Sequence, residues 1–385
     1  MSDNVVKMAV GRWNKKRLIL FGILALLVIA ALVIILFWEP LNMDGLMRSI
    51  RYGSKKDDAN FGVYQFDSHS SNRFALGGEN LVLGNSSNLR FYEESGAIRK
   101  DFPAVHQNPK LLTGGELTLF YDIGSSSLMA VRDGETVTLE FSTDGSIFDA
   151  DVSENGTVCI AAADSGYKTV LRVYDKNQTE IFRWFSSSQF MPVCAVSPDG
   201  SGMAAISLGQ TGGTFESTLN LFRTDSEEVE QTISIGDRLV HDLHYLDNSS
   251  LCLICEDEIC FMKTNGDEIG RYDLASRYLS DYDLHGDGFV LSSLNMYKAG
   301  NRCTVVTVDD EGQELGSAFV GEEVLDISAN GKYVAVLTTD TLTIYRKDLS
   351  VYARTDNRWV ATSVLMRKDG TAILISGNSA NLFIP

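Results

Sequence analysis

The side chains able to do chemistry in this chain are few and scattered. Five histidines occur, at positions 69, 106, 241, 244 and 285. His241 and His244 lie close together, and Asp281, Tyr282 and Asp283 form a second short run of titratable groups about forty residues on. Both runs fall in segments read below as innermost strands beside a central channel, so these five are the candidate ligand-site residues. A spacing of three on a strand splits His241 and His244 between its faces, which argues against a shared metal. The string Asp281-x-Asp283-x-x-Gly286-Asp287-Gly288 has the flavour of a calcium loop. Ser292, however, stands at the twelfth position, where a bidentate Glu is required, so a plain turn is the better reading. No metal and no cofactor is expected.

Cysteines at 159, 194, 252, 255, 260 and 303 each sit in or beside an apolar run and read as buried small hydrophobes. Cys252 and Cys255 spell C-x-x-C, but on a strand they face opposite sides. Cys255 and Cys260 flank Glu256-Asp257-Glu258, a candidate hairpin turn across which a disulfide could close if its strict geometry allowed. The chain has no Gly-x-Ser-x-Gly, no His-Glu-x-x-His and no phosphate-binding Gly-x-x-x-x-Gly-Lys. Acidic runs such as Asp309-Asp310-Glu311 and Glu322-Glu323 fall at expected turns, where solvated charge is the ordinary state. Asn85, Asn155, Asn177 and Asn248 each begin a glycosylation triplet, which matters only in a eukaryotic secretory route.

The elements that position these groups repeat. DVSENGTVCIAAA at 151–163, AVSPDGSGMAAIS at 195–207, DISANGKYVAVLT at 326–338 and SVLMRKDGTAILIS at 363–376 each read as strand, Gly-bearing turn, strand. Gly156, Gly200, Gly331 and Gly370 supply the positive φ that such hairpins need. Their intervals are 44, 131 and 39 residues, and two less regular copies at 241–255 and 280–293 fill the long gap. A second hairpin recurs half a unit later, at 89–102, 128–141, 171–184, 219–233, 259–272, 304–319 and 342–354, with NLFIP at 381–385 opening an eighth copy. Two hairpins per unit of forty-odd residues are the signature of four-stranded β-propeller blades. The last unit lacks its outer strand, and Phe61–Phe66 (FGVYQF) precedes the first unit as an orphan. The expected fold is therefore all-β, a propeller of eight blades in which 359–385 and 61–66 share one, with seven as the alternative if 74–115 is a single blade.

Ahead of the ring, residues 18–38 (LILFGILALLVIAALVIILFW) run 21 residues without a charge, enough for a transmembrane helix, with Trp38 at its rim and Glu39-Pro40 to end it. Their length, and the lack of a small-residue cleavage site after them, argue against a signal peptide. Residues 1–17 carry +4, so −22 of the total −18 falls on residues 18–385. Such acidity argues against nucleic-acid binding. The basic flank favours a cytoplasmic N-terminus and an extracytoplasmic ring, while six thiols would suit the reverse topology. The expected organisation is a basic tail at 1–17, the helix at 18–38, a stalk at 39–60 and the propeller at 61–385; within the stalk Leu46, Met47 and Ile50 could form one turn of apolar face against the membrane, but the stretch is short and an irregular linker is the better reading.

The pattern lacks the Trp-Asp and Gly-His dipeptides of the WD40 class: Phe follows Trp184 and Val follows Trp359. VYDKNQTEIFRW at 173–184 resembles the tryptophan-docking turn of quinoprotein-like propellers, which are typically eight-bladed; one Trp copy does not carry over their quinone chemistry. By its layout of basic tail, anchor, stalk and divergent propeller, the chain resembles a family of membrane-anchored propellers from Gram-positive bacteria. The resemblance implies an envelope location and carries no catalytic residue with it. Three functions follow as expectations: a membrane-tethered module presenting a ring face to a protein or peptide, an envelope enzyme or small-ligand sensor at the channel mouth, and a scaffold with inverted topology.

Overall fold

The computed structural model describes residues 21–29, 43–53, 61–226, 228–297 and 302–385. The chain divides into two compact units, residues 1–57 and 58–385.

In the larger unit, alternating apolar segments separated by Gly and Asx turns form eight antiparallel four-stranded sheets, each ordered from its first strand outward. Seven blades are continuous in sequence, at 73–103, 109–142, 147–186, 190–236, 240–273, 278–320 and 324–356. The eighth is composite: the strands at 363–366, 372–375 and 379–383 are completed on the outside by Val63–Gln65, with Val63 opposite Asn381 and Gln65 opposite Ser379. Closure by both chain ends leaves no blade short of its outer strand, so no sheet edge is exposed at an inner position. Residues 73–103 form one blade and the strand from Pro109 opens the next, which settles the count at eight rather than seven.

The four signature glycines lie in the first hairpin turns of blades 3, 4, 7 and 8, all with positive φ from 60° to 85°. Antiparallel pairing puts the turns between strands one and two, and between three and four, on one face of the ring. The loops between strands two and three and the crossovers to the next blade lie on the other. These are called the turn face and the crossover face.

Apolar side chains of each blade pack against the next blade, giving eight buried clusters, one at every junction. At about 1.5–3 kcal/mol per large buried side chain, these junctions supply the main cohesion of the ring. The junction of blades 8 and 1 adds a polar clamp. Arg367, with no exposed side-chain surface, lies 3.2 Å from the Glu79 carboxylate and 3.7 Å from that of Glu94, and also donates to the Glu79 carbonyl. Gly96 (φ +93°) completes this seam, because a Cβ there would sit 2.1 Å from the Val63 carbonyl oxygen.

In the smaller unit, residues 21–29 are helical and Met43–Tyr52 forms helix α1. The irregular stalk expected at 39–60 is thus helical over α1. Among the described residues no helix is long and apolar enough to cross a membrane. Of the expected span, residues 18–20 and 30–38 lie outside the described residues, as does the basic tail at 1–17.

Candidate functional site

The inner strands begin at the crossover face and run toward the turn face, and they carry a recurrent aspartate. Asp149 and Asp151 stand on blade 3, Asp242 on blade 5, Asp281 and Asp283 on blade 6, and Asp326 on blade 7. Adjacent inner strands belong to separate sheets and do not pair as a ladder, so the backbone N–H groups along their facing edges need other acceptors. Several aspartates fill that need. Asp149 Oδ2 accepts from Cys194 N at 3.1 Å, Asp151 Oδ2 from Val196 N at 3.0 Å, Asp283 Oδ2 from Ala329 N at 2.8 Å and Asp326 Oδ2 from Val364 N at 2.7 Å. Ser328 takes the same role toward Met366 N at 3.1 Å. Each link joins one blade to the next.

Charge is gathered by this arrangement. Burial raises the Asp149 carboxyl above the usual range, against the pull of the Lys110 ammonium 2.9 Å away. Burial likewise opposes the Lys110 charge, but Asp149 outweighs it and holds the ammonium above its ordinary pKa. Asp151 is raised by burial and eased back by His244. Asp281 is pushed up to about 6, by burial first and then by the neighbouring Asp326 carboxylate. Tyr282 donates to Asp242 Oδ2 at 2.9 Å, tying blade 6 to blade 5, and burial with that carboxylate raises its phenol.

Of the five residues proposed from sequence, His241 is exposed near the start of the blade 5 inner strand, and His244 is half-buried further along it, close enough to Asp151 to influence it. Asp281 accepts from Tyr282 N at 2.9 Å. Asp283 serves two groups: besides the bond to blade 7 it contacts His285 Nδ1 at 2.7 Å, which raises the imidazole pKa. Asp149, Asp151, Asp242, Asp326 and Lys110 were missed. Their signal was the recurrence of Asp at one register of the first hairpin, visible in DADV at 149–152, SDYD at 280–283 and LDIS at 325–328.

Among the described residues, no group of three or more His, Cys, Asp or Glu is placed to hold a metal ion. All six cysteines are free and buried. Cys255 and Cys260 are therefore not bridged, and Cys159 and Cys194 approach to 3.6 Å across the junction of blades 3 and 4. The hydroxyl-and-carboxylate loop at 281–292 is strand, turn and strand, as the plain-turn reading expects. Pockets of about 390 and 510 Å³ lie away from the five candidates. The first is lined by Arg238, Glu256, Asp257, Ser276, Arg277 and neighbours between blades 5 and 6. The second lies between the turns of blades 1 and 2.

Exposed apolar surface is uneven. Of fourteen exposed bulky apolar side chains in the described ring, eleven sit on loops or strand ends of the crossover face, among them Phe185, Phe215, Tyr297, Phe319 and Val360. Two aromatic pairs gather over blades 3 and 4, Phe148 with Phe190 and Tyr167 with Phe185, each with ring centroids 4.8 Å apart.

Fold and site together define an eight-bladed β-propeller whose inner strands are latched by aspartate. Residues 60–379 match the model of the family of unknown function DUF5711, and the chain belongs to that family. No curated protein matches the chain. Among solved structures, it is similar to Chaetomium thermophilum Raptor at 11% identity and a TM-score of 0.50, over 84% of this chain and 28% of that one. At that identity the likeness is one of fold.

Proposed function

We propose that this protein is a membrane-tethered interaction module whose crossover face docks a protein or peptide partner. The observation that carries this reading is the gathering of eleven exposed bulky apolar residues on one face of a ring whose other face is strongly charged. The residues gather most closely where the Tyr167–Phe185 and Phe148–Phe190 ring pairs stand over blades 3 and 4, and uncovered aromatic groups of this kind are enriched at interaction sites. The tether is residues 18–38. Ile23, Leu24, Leu26, Leu27, Val28 and Ile29 all lie on the helical stretch 21–29 with more than half of their surface exposed, as suits a helix solvated by lipid.

The basic flank supports an extracytoplasmic ring, with the inverted topology as the alternative. A cysteine introduced at the exposed Asp310 should then react with an impermeant thiol reagent in intact cells, and protection until lysis would invert the topology. Chemical crosslinking in native membranes should recover the same partner reproducibly. Failure to recover any would overturn the interaction reading.

A second reading, a small-ligand site among the inner-strand carboxylates, is favoured by the nearness of Asp281, Asp283 and Asp326 on blades 6 and 7, whose carboxylates add to the burial that raises Asp281. Thermal shifts on adding small cationic ligands, abolished in Asp281→Asn, would support it.

A further inference from the structure

Helix α1 is amphipathic in the reverse sense to a helix of a water-soluble domain. With 3.6 residues per turn, Leu46, Met47 and Ile50 share one arc, and they are exposed by 54%, 62% and 71%. The opposite arc holds Arg48 and Tyr52, exposed by only 5% and 0%. The polar and aromatic side is covered while the aliphatic side faces out. Water would reject that orientation, because burying the aliphatic side is the usual source of stability for so short a helix.

We propose that α1 lies in the headgroup layer of a lipid bilayer, with Leu46, Met47 and Ile50 inserted among the upper acyl chains. The inference rests on the reading of 18–38 as a membrane span. Three observations select lipid as the occupant. Only four residues, 39–42, separate Trp38 from the first residue of α1, and the five steps between the two, at about 3.5 Å each, reach at most about 18 Å. The start of α1 therefore stays near the end of the apolar run. The exposed Arg51 and, just beyond the helix in sequence, Lys55 and Lys56 supply positive charge suited to anionic headgroups. The aliphatic arc is also continuous in character with residues 23–29, whose side chains are likewise uncovered.

The test uses the full chain reconstituted in vesicles of phosphatidylcholine with phosphatidylglycerol. An environment-sensitive fluorophore is placed at Ile50→Cys, at Ser49→Cys on the flank of the helix, and at Leu27→Cys in the span; the six native thiols are buried and stay unlabelled. Nitroxide lipids labelled high or deep on the acyl chain then report depth. The probe at 50 should be blue-shifted and quenched more by the shallow nitroxide than by the deep one, with weaker quenching at 49. The probe at 27 should be quenched more by the deep nitroxide. Quenching at 27 without quenching at 50 overturns the inference and leaves the span standing. Quenching at neither position removes the span and the inference together. Emission at 50 that follows protein density in the vesicle, and not the nitroxide lipid, would assign the arc to a second copy of the chain and also overturn it.

Discussion

The two faces of the ring are built from the same four-stranded unit and end up unlike. Among the described residues, the segments between strands on the turn face hold eighteen Asp and Glu against five Lys and Arg; on the crossover face the numbers are eight and four. Bulky exposed apolar side chains divide the other way, eleven on the crossover face and three at the turn-face ends of outer strands. A hairpin turn of two to five residues needs positive φ and side chains that bond their own backbone, and Asp309 accepting from Glu311 N and Gln313 N is one example. That chemistry leaves little room for apolar groups. Crossovers carry no such constraint and can hold Val105, Phe190 or Val360. One face is therefore committed to turn chemistry, while the other is free to expose apolar side chains.

If this division is real, the largest stability effects belong at the seam on the turn face. Arg367→Met leaves Glu79 and Glu94 facing an apolar side chain, and should cost about 3–5 kcal/mol in equilibrium denaturation. An effect below about 1 kcal/mol would mean the seam is held by the apolar junction alone.

Asp281, inside the ring, gives the next effect and a pH signature. Its folded pKa of about 6 lies above the ordinary carboxylate value, so the folded state binds the proton more tightly than the unfolded chain. Its contribution to stability is present below about pH 4 and is lost as pH rises through about 6. Asp281→Asn should therefore stabilise the protein by about 3 kcal/mol at pH 7, change little at pH 4, and flatten the stability profile between them. A variant whose profile parallels the wild type would contradict the assignment.

Gly96→Ala meets both an unfavourable φ and the Val63 carbonyl, and should lower stability by about 2 kcal/mol or more. The smallest change is expected on the crossover face. Phe185→Ser and Tyr297→Ser should move the unfolding midpoint by less than about 0.5 kcal/mol equivalent, since neither side chain belongs to a junction core. A large loss there would show that the apolar face is structural.

The blade count was legible in the chain because ring closure has a sequence consequence. NLFIP stops at the third strand of its unit and FGVYQF supplies the missing partner, and both are visible as hydrophobic patterns between Gly turns. The recurrence of Asp at one register of the first hairpin is visible in the chain, but its latching role was not legible, since an Asp bonding an amide about 45 residues on is a relation between neighbouring inner strands that no local period records. Asp281 and Asp283 were picked out for their density of charge, and Asp283 proves to be shared between an inter-blade bond and His285. Arg367 reads in sequence as an ordinary turn residue, and its burial follows only from the meeting of blade 8 with blade 1. Helix α1 was legible only as the apolar turn Leu46, Met47 and Ile50, because ten residues give too few turns for an amphipathic period to outweigh the reading as a linker.

The central claim, that recognition belongs to the crossover face, is tested most directly by photo-crosslinking amino acids placed singly at Phe185 and Phe215 on that face and at Asp199 and Asp310 on the turn face, in native membranes. The account predicts a reproducible adduct from the first pair and none from the second; adducts from the turn face alone, or equally from both faces, would contradict it.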